Sequence, residues 1–176
     1  NRETTIIDGN QSGVVVTFMG NEDSTAMLSG FMITDGFSAD VGGIICIASS
    51  PTLKNLMISG NSTTLDGGGV YLWGSSTALR NVTISGNSAS NKGGGIFCGG
   101  NSSPTITNVT ISGNTAETYG GGMYCIDSNP SLSNVTISEN LAVEGGGIYL
   151  DSSSPILVNT ILWANSAQNV FFVEVQ

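Results

Sequence analysis

Gly93-Gly94-Gly95-Ile96-Phe97-Cys98, followed by Asn101-Ser102-Ser103-Pro104-Thr105-Ile106-Thr107-Asn108-Val109-Thr110-Ile111-Ser112-Gly113-Asn114, is the stretch whose recurrence decides the fold. Its ending returns as Ile58-Ser59-Gly60-Asn61, Ile84-Ser85-Gly86-Asn87, Ile137-Ser138-Glu139-Asn140 and Leu162-Trp163-Ala164-Asn165. The five terminal asparagines lie 26, 27, 26 and 25 positions apart. The glycine block keeps the same beat: its last members, Gly43, Gly69, Gly95, Gly122 and Gly147, are spaced 26, 26, 27 and 25. A second asparagine recurs in phase at Asn55, Asn81, Asn108, Asn134 and Asn159. A fixed period of this length marks an array of stacked units, each unable to bury its apolar face alone.

Inside one unit the apolar period is two, not 3.6. Ile96 to Cys98, Thr105 to Thr107 and Val109 to Ser112 read as three short strands. Pro104 and its neighbours make a turn. Asn108 breaks the chain between the second and third strands, since asparagine tolerates the left-handed region. Ile96, Cys98, Ile106, Val109 and Ile111 then share one interior. A hairpin meander would not return identical residues to identical registers, whereas parallel coils stacked about 4.8 Å apart would. Like side chains then lie on like, so both asparagine columns are expected to ladder by hydrogen bonding. Asn81-Val82-Thr83 and Asn108-Val109-Thr110 have the form of glycosylation acceptors, but burial in such a ladder would shield them.

The paired signature Gly-Gly-Gly-Ile-Phe-Cys and Asn-Val-Thr-Ile-Ser-Gly-Asn resembles the repeats of the pectin-lyase-like superfamily. More narrowly, it is similar to bacterial surface repeats of the polymorphic outer-membrane-protein type, with Ile-x-x-Asn standing in for Phe-x-x-Asn. The resemblance covers residues 5 to 165. The fold class expected is all-β: a right-handed single-stranded parallel β-helix, a solenoid with three short strands per coil and six to seven coils. Residues 1–176 read as one domain, with regular repeats over 37–165, irregular N-terminal coils over 5–36 and a terminal strand or cap over 166–176. In the irregular part Gly13-Val14-Val15-Val16 and Leu28 to Asp35 read as strands, and Asn21-Glu22-Asp23-Ser24 replaces the Pro turn. Val170 to Val175 reads as a further strand. The start at Asn1-Arg2-Glu3 suggests a piece of a longer secreted chain.

Composition narrows the partners. The net charge is −9, with Arg2, Lys54, Arg80 and Lys92 the only basic residues. Nucleic acid and anionic membrane surfaces are therefore disfavoured. There is no run of 18 apolar residues for a membrane span. The sequence has no histidine, and Cys46, Cys98 and Cys125 share one register with Leu72 and Leu150, as small buried hydrophobes would. A zinc site is not expected. A Cys98–Cys125 bridge between neighbouring coils stays open as an alternative. Cys46 is two coils from Cys98, roughly 9.6 Å at the strand spacing, beyond disulfide reach.

The resemblance implies two catalytic designs: lyases with a calcium-binding acidic cluster and a basic residue, and hydrolases with two or three close aspartates. One register before the glycine block holds Asp66, Lys92, Tyr119 and Glu144, with Asp66 and Glu144 three coils apart. The best carboxylate pair is Asp127 with Asp151, on adjacent coils but one position out of register, as candidate catalytic groups or Ca²⁺ ligands. No other metal site or cofactor is indicated. Lys54 and Arg80 share a register and form a small basic spot. Two outward surfaces have more character. Ile45, Tyr71, Phe97, Tyr124 and Tyr149 occupy one register, with Trp73 facing the same way: a stripe that stacks on sugar rings or docks a partner, or stacks on itself. Thr83, Thr110 and Thr136 form a second rank beside Ser59, Ser85, Ser112 and Ser138, a flat hydroxyl lattice of the kind ice-binding solenoids use. Met57 and Ile161 interrupt it at the ends.

The function expected is a non-catalytic extracellular or cell-surface β-helix, bacterial in source, acting as an adhesive or structural stalk or passenger. Its partners would be a polysaccharide or cell-surface ligand, and end-to-end self-association would suit it. The alternative is a polysaccharide-binding or polyuronate-degrading β-helix, and ice binding is third.

Overall fold

The computed structural model describes residues 5–173. The chain winds into a solenoid of about six turns walled by three parallel sheets. The widest sheet carries Met32–Thr34, Met57–Ser59, Ala78–Ser85, Thr105–Ser112 and Ser131–Ser138, opened by Ile6–Asp8 and closed by Ile156–Val158 with Ile161–Trp163. A seven-stranded sheet runs Val16–Phe18, Ile44–Ile47, Val70–Trp73, Ile96–Gly99, Met123–Ile126, Ile148–Asp151 and Val170–Val173. The third sheet has two residues per coil: Phe37–Ser38, Ser62–Thr63, Ser88–Ala89 and Thr115–Ala116.

Three walls per coil agree with the expected count, but the walls are differently composed. The two strands expected on either side of Asn108 form one bent strand, Thr105–Ser112, with Asn108 at φ 55°. Asn55, Asn81, Asn134 and Asn159 take the same left-handed turn, at φ from 48° to 56°. The third sheet lies between the terminal asparagine and the glycine block. Two residues are too few to display a period, so alternation could not reveal it. At the N-terminal end the strand is Val16–Phe18 rather than Gly13 to Val16, in register with Ile44 to Cys46. Val170–Val173 extends the second sheet. Glu174 and Val175 lie outside the described residues.

The interior is one column of aliphatic side chains. Ile44, Val70, Ile96, Met123 and Ile148 stack along one wall, and Ile58, Ile84, Ile111 and Ile137 along another, all buried. Cys46, Cys98 and Cys125 stand in the same interior as free thiols, with Cys98 beside Cys125 and Leu72 between Cys46 and Cys98. The alternative of a Cys98–Cys125 bridge is thus not realised.

Two polar columns set the stacking register. The buried one is Asn61, Asn87, Asn114, Asn140 and Asn165. Each amide nitrogen donates to the next asparagine's Oδ1, at 2.9 to 3.0 Å. The Asn87, Asn114, Asn140 and Asn165 side chains also donate across the coil to the carbonyls of Ile58, Ile84, Ile111 and Ile137. Each Oδ1 from Asn87 onward accepts a second bond, from the preceding asparagine's backbone N–H. The other column, Asn55 to Asn159, is also laddered, at 3.2 to 3.3 Å, but Asn81, Asn108, Asn134 and Asn159 are exposed. The burial expected for Asn81 and Asn108 is therefore wrong: their left-handed turn points the amides outward. A serine column, unread in the sequence, adds rungs. Ser102, Ser128 and Ser153 accept through Oγ from the backbone N–H groups of Ser75, Ser102 and Ser128. Among the described residues every buried side-chain nitrogen and oxygen has a partner.

The glycine block follows from the same stacking. A Cβ on Gly95 would lie 2.5 Å from the Gly122 carbonyl oxygen of the next coil and 3.1 Å from the Asn114 amide. Nothing there can yield without breaking the asparagine column. Among the described residues no helix is long and apolar enough to cross a membrane.

These observations set a stability series, read by urea denaturation. Asn114→Ala strands the Asn87 backbone N–H and removes one bond each from the Asn87 amide, the Ile84 carbonyl and the Asn140 oxygen, and is expected to cost about 3 kcal/mol, at 1–3 kcal/mol per unsatisfied buried group. Asn108→Gly keeps the φ that the turn requires and is expected to cost less than about 1 kcal/mol. Gly95→Ala is expected to exceed the cost of Gly86→Ala, where φ is +63° but a Cβ meets nothing within 4 Å. Equal losses at Asn114 and Asn108 would contradict the assignment of the buried column as the register-setting one.

Candidate functional site

The outward stripe on the seven-stranded sheet is a ladder of rings. Tyr71 stacks on Phe97 at 4.7 Å, Phe97 on Tyr124 at 5.3 Å, Tyr124 on Tyr149 at 5.3 Å and Tyr149 on Phe171 at 5.0 Å. Strand alternation does point these residues away from the interior, but exposure does not follow. Phe97, Tyr124 and Tyr149 are buried, at 5%, 2% and 8% of their accessible surface. Three groups cover them: the neighbouring rings, Tyr119 at 4.6 Å from Tyr149, and the Lys92 ammonium at 4.9 Å from the Tyr124 centroid. Open display of the whole stripe is thus corrected.

The cover arises from the first glycine of each block. Gly120 has φ +67°, and a Cβ there would sit 2.8 Å from the Tyr124 Cβ; Gly145 stands in the same relation to Tyr149 at 2.9 Å. With hydrogen at these positions, the preceding residue's column curls back beside the rings. That column holds Lys92, Tyr119 and Glu144 in parallel register, as the sequence suggested.

Two parts of the stripe remain accessible. Trp73 is 45% exposed. Its indole lies flat on Gly99 and Gly100, where added Cβ atoms would come within 2.8 to 2.9 Å of the ring. The side against Gly99 and Gly100 is used in packing, and nearly half of the side chain stays open to solvent. Tyr71 ends the ladder. Its partner on the preceding coil is Ile45, so the stack stops and a cleft of about 440 Å³ opens. Val41, Ile45 and Ile47 supply its apolar surface, with Tyr71 as the ring wall. Met19 and Leu65 border it, and Asp40 and Asp66 add two carboxylates.

Electrostatics tie these groups together. Burial pushes the Asp66 carboxyl up, opposed by the backbone N–H of Lys92, which donates to it at 3.1 Å, and by the Lys92 charge. Burial raises the Tyr71 hydroxyl, and the charges of Asp66 and Asp40 raise it further. Both carboxylates are thus in electrostatic reach of the ring that closes the cleft. Asp66 was legible in the sequence as part of a column. Asp40 and the cleft were missed, although Asp40 stands 26 positions before Asp66 in the same column and the register steps from Tyr71 to Ile45.

The other candidates are placed as follows. Asp151 pairs with Ile126, which leaves Asp127 one position beyond it. Asp127 is exposed on a left-handed turn at φ 48°, and its N–H donates to the Asp151 carbonyl at 3.1 Å. The Asp151 carboxylate instead accepts from the Ser152 hydroxyl at 3.2 Å and, at 3.5 Å, from the Tyr124 hydroxyl. Among the described residues no three acidic or cysteine side chains converge to hold an ion. The residues present do not fit the calcium cluster that the resemblance implies. Thr83, Thr110 and Thr136 form their outward rank between Met57 and Ile161, with Ser59, Ser85, Ser112 and Ser138 alongside. Lys54 and Arg80 are register neighbours.

The model of the right-handed β-helix region matches residues 42–175. The chain belongs to the right-handed β-helix family. Searches of curated proteins and of solved structures found no match. Within this right-handed β-helix the matched region contains the whole ring ladder and, of the cleft's floor, Ile45 and Ile47, while Met19, Asp40 and Val41 precede it.

The ionisable groups of the ring face and of the interior predict an alkaline weakness. Burial, reinforced by the Asp151 charge, raises the Tyr124 hydroxyl far above its ordinary range, and burial pushes the Cys46 thiol up to about 12. A folded-state pKa above the unfolded value means the contribution is fully present below the unfolded pKa, about 10 for tyrosine. It is lost as pH rises through the folded one. The urea midpoint is expected to fall from pH 9 towards pH 12, and less steeply for Tyr124→Phe. Identical slopes would show that Tyr124 ionises in the fold as freely as in the unfolded chain.

Proposed function

We propose that this protein is a non-catalytic extracellular or cell-surface β-helix with an adhesive or structural role, a stiff stalk or displayed passenger. The observation that carries this reading is that its repeated chemistry is spent on laddering. The buried asparagine amides bond to one another and to backbone carbonyls, and the rings stack. The candidate pair Asp127 and Asp151 is split between an exposed aspartate and one directed at Tyr124 and Ser152. A solenoid so cross-braced suits transmission of force or spacing of a ligand from a surface.

A second reading, polysaccharide binding, is favoured by the exposure of the Trp73 indole. A flat indole beside a continuous ladder can stack on a pyranose. The carboxylates of Asp40 and Asp66 beside the stripe favour neutral or basic sugars over polyuronates. Ice binding has a weaker basis, because the threonine rank is three residues long and ends in apolar side chains at Met57 and Ile161.

The chain coupled to beads is expected to adhere to polysaccharide films or cell surfaces, with no rise in the ultraviolet absorbance of unsaturated uronates in a polyuronate panel. Turnover in that panel would overturn the non-catalytic reading. Absence of adhesion to every surface would remove the adhesive one, leaving a structural role. On a glycan array Trp73→Ala is expected to reduce any sugar signal at least fivefold; retention of the parent signal would exclude Trp73 as the contact.

A further inference from the structure

The cleft between Tyr71 and Ile45 has the form of a missing rung. Rings recur once per coil at centroid separations of 4.7 to 5.3 Å from Tyr71 to Phe171. At Ile45 the register continues but the ring does not, and the face of Tyr71 that would be stacked is left against the cleft. The cleft's volume, about 440 Å³, falls in the range of small-molecule sites, about 300–1,000 Å³. Its floor is apolar, from Val41, Ile45 and Ile47, and both its ionised groups, Asp40 and Asp66, are acidic.

The same face shows how a cation is seated on these rings. One coil further on, the Lys92 ammonium lies 4.9 Å from the Tyr124 centroid and 6.0 Å from that of Tyr119. A cation over a ring face is attracted by the ring's quadrupole, more so where water is excluded. At Tyr71 the ring face is present and two carboxylates stand by it, while Lys92, the nearest basic side chain of that column, is engaged with the rings beyond.

We propose that this slot binds a planar organic cation, an amidinium or guanidinium carried on a flat apolar body, which lies against Tyr71 where a ring at position 45 would extend the ladder. The flat body stacks on Tyr71 over the aliphatic floor, and the charged end pairs with Asp40 and Asp66. A carboxylate of the right fork geometry accepts an amidinium or guanidinium through two parallel N–H bonds. An anionic ring of the same size would meet both carboxylates and be rejected, and a neutral one would offer them no opposite charge. The site stands apart from the adhesive reading and shares only Tyr71's neighbourhood with the sugar-stacking face of Trp73.

Benzamidine, a flat cation at neutral pH, and benzamide, its neutral counterpart, separate the possibilities. Both are titrated into the whole chain, followed by two-dimensional NMR and by Trp73 fluorescence. Saturable benzamidine binding is expected, at least tenfold tighter than benzamide, with the largest shifts at Tyr71, Ile45 and Ile47. Ile45→Tyr supplies the missing rung from within and is expected to abolish binding while the thermal midpoint holds or rises. Asp40→Asn changes an exposed position and keeps the test open should Ile45→Tyr fail to fold; a loss of at least threefold is expected. Benzamide binding within threefold of benzamidine, a folded Ile45→Tyr that binds like the parent, or no saturation by benzamidine would each overturn the proposal. Because Ile45→Tyr leaves Trp73 itself in place, a glycan signal that survives in this variant separates sugar binding from cation binding.

Discussion

The asparagine column from Asn61 to Asn165 sits where three demands meet: the end of the widest sheet, the turn into the third sheet and the approach of the glycine block. Each amide there both donates and accepts across coils, and the backbone N–H of one asparagine is held by the side chain of the next. A slip of one residue between coils would strand all of these groups in a dry corner, at about 1–3 kcal/mol for each unsatisfied group. Slippage is the particular hazard of a strand, since a one-residue shift turns every side chain to the other face. The column forbids it. The Gly43, Gly69, Gly95 and Gly122 positions are bound to the same constraint, because a Cβ on any of them would press on the neighbouring coil's carbonyl or on an asparagine amide.

Once register is fixed, a column in the sequence becomes a column in space. A residue type repeated in every coil therefore meets itself, and its chemistry is consumed by its own kind. Asparagine amides hydrogen-bond to asparagine, serine hydroxyls accept from the preceding serine's backbone N–H, and rings stack on rings. Regularity thus works against a binding site. Chemistry becomes available to a ligand only where a column is interrupted. Tyr71 over Ile45 is one interruption, and Trp73 over Gly99 is another.

This logic also explains what could be read in advance. The period, the parallel stacking, the interior of Ile, Val, Leu and Cys, and both asparagine columns were visible because each is a property of spacing alone. The covering of Phe97, Tyr124 and Tyr149 was not. Alternation states which side of a strand a residue leaves from; it does not state what folds back over that side. Here the answer lay in the left-handed glycines, Gly120 and Gly145, which bring Tyr119 and Glu144 beside the rings. The exposed state of Asn81 and Asn108 was hidden for a related reason: two asparagine columns with the same period differ only in backbone direction at the turn. The third sheet, at two residues per coil, carries no period to detect.

The acidity of the chain takes on a local meaning in this frame. A net charge of −9 spread over a surface acts weakly on any one ligand, because exposed charges more than about 8–10 Å apart are screened at physiological salt. In the interrupted rung two of those charges are held against an apolar floor, and one of them, Asp66, is already partly removed from water. A carboxylate in that setting gains more from a cation than one on an open turn such as Asp127, since the same attraction operates in a lower effective dielectric. The side chain that breaks the ring ladder therefore does two things at once. It removes a stacking partner, which costs about 0.5–1.5 kcal/mol of ring–ring attraction, and it exposes a ring face beside charges that were otherwise only surface decoration.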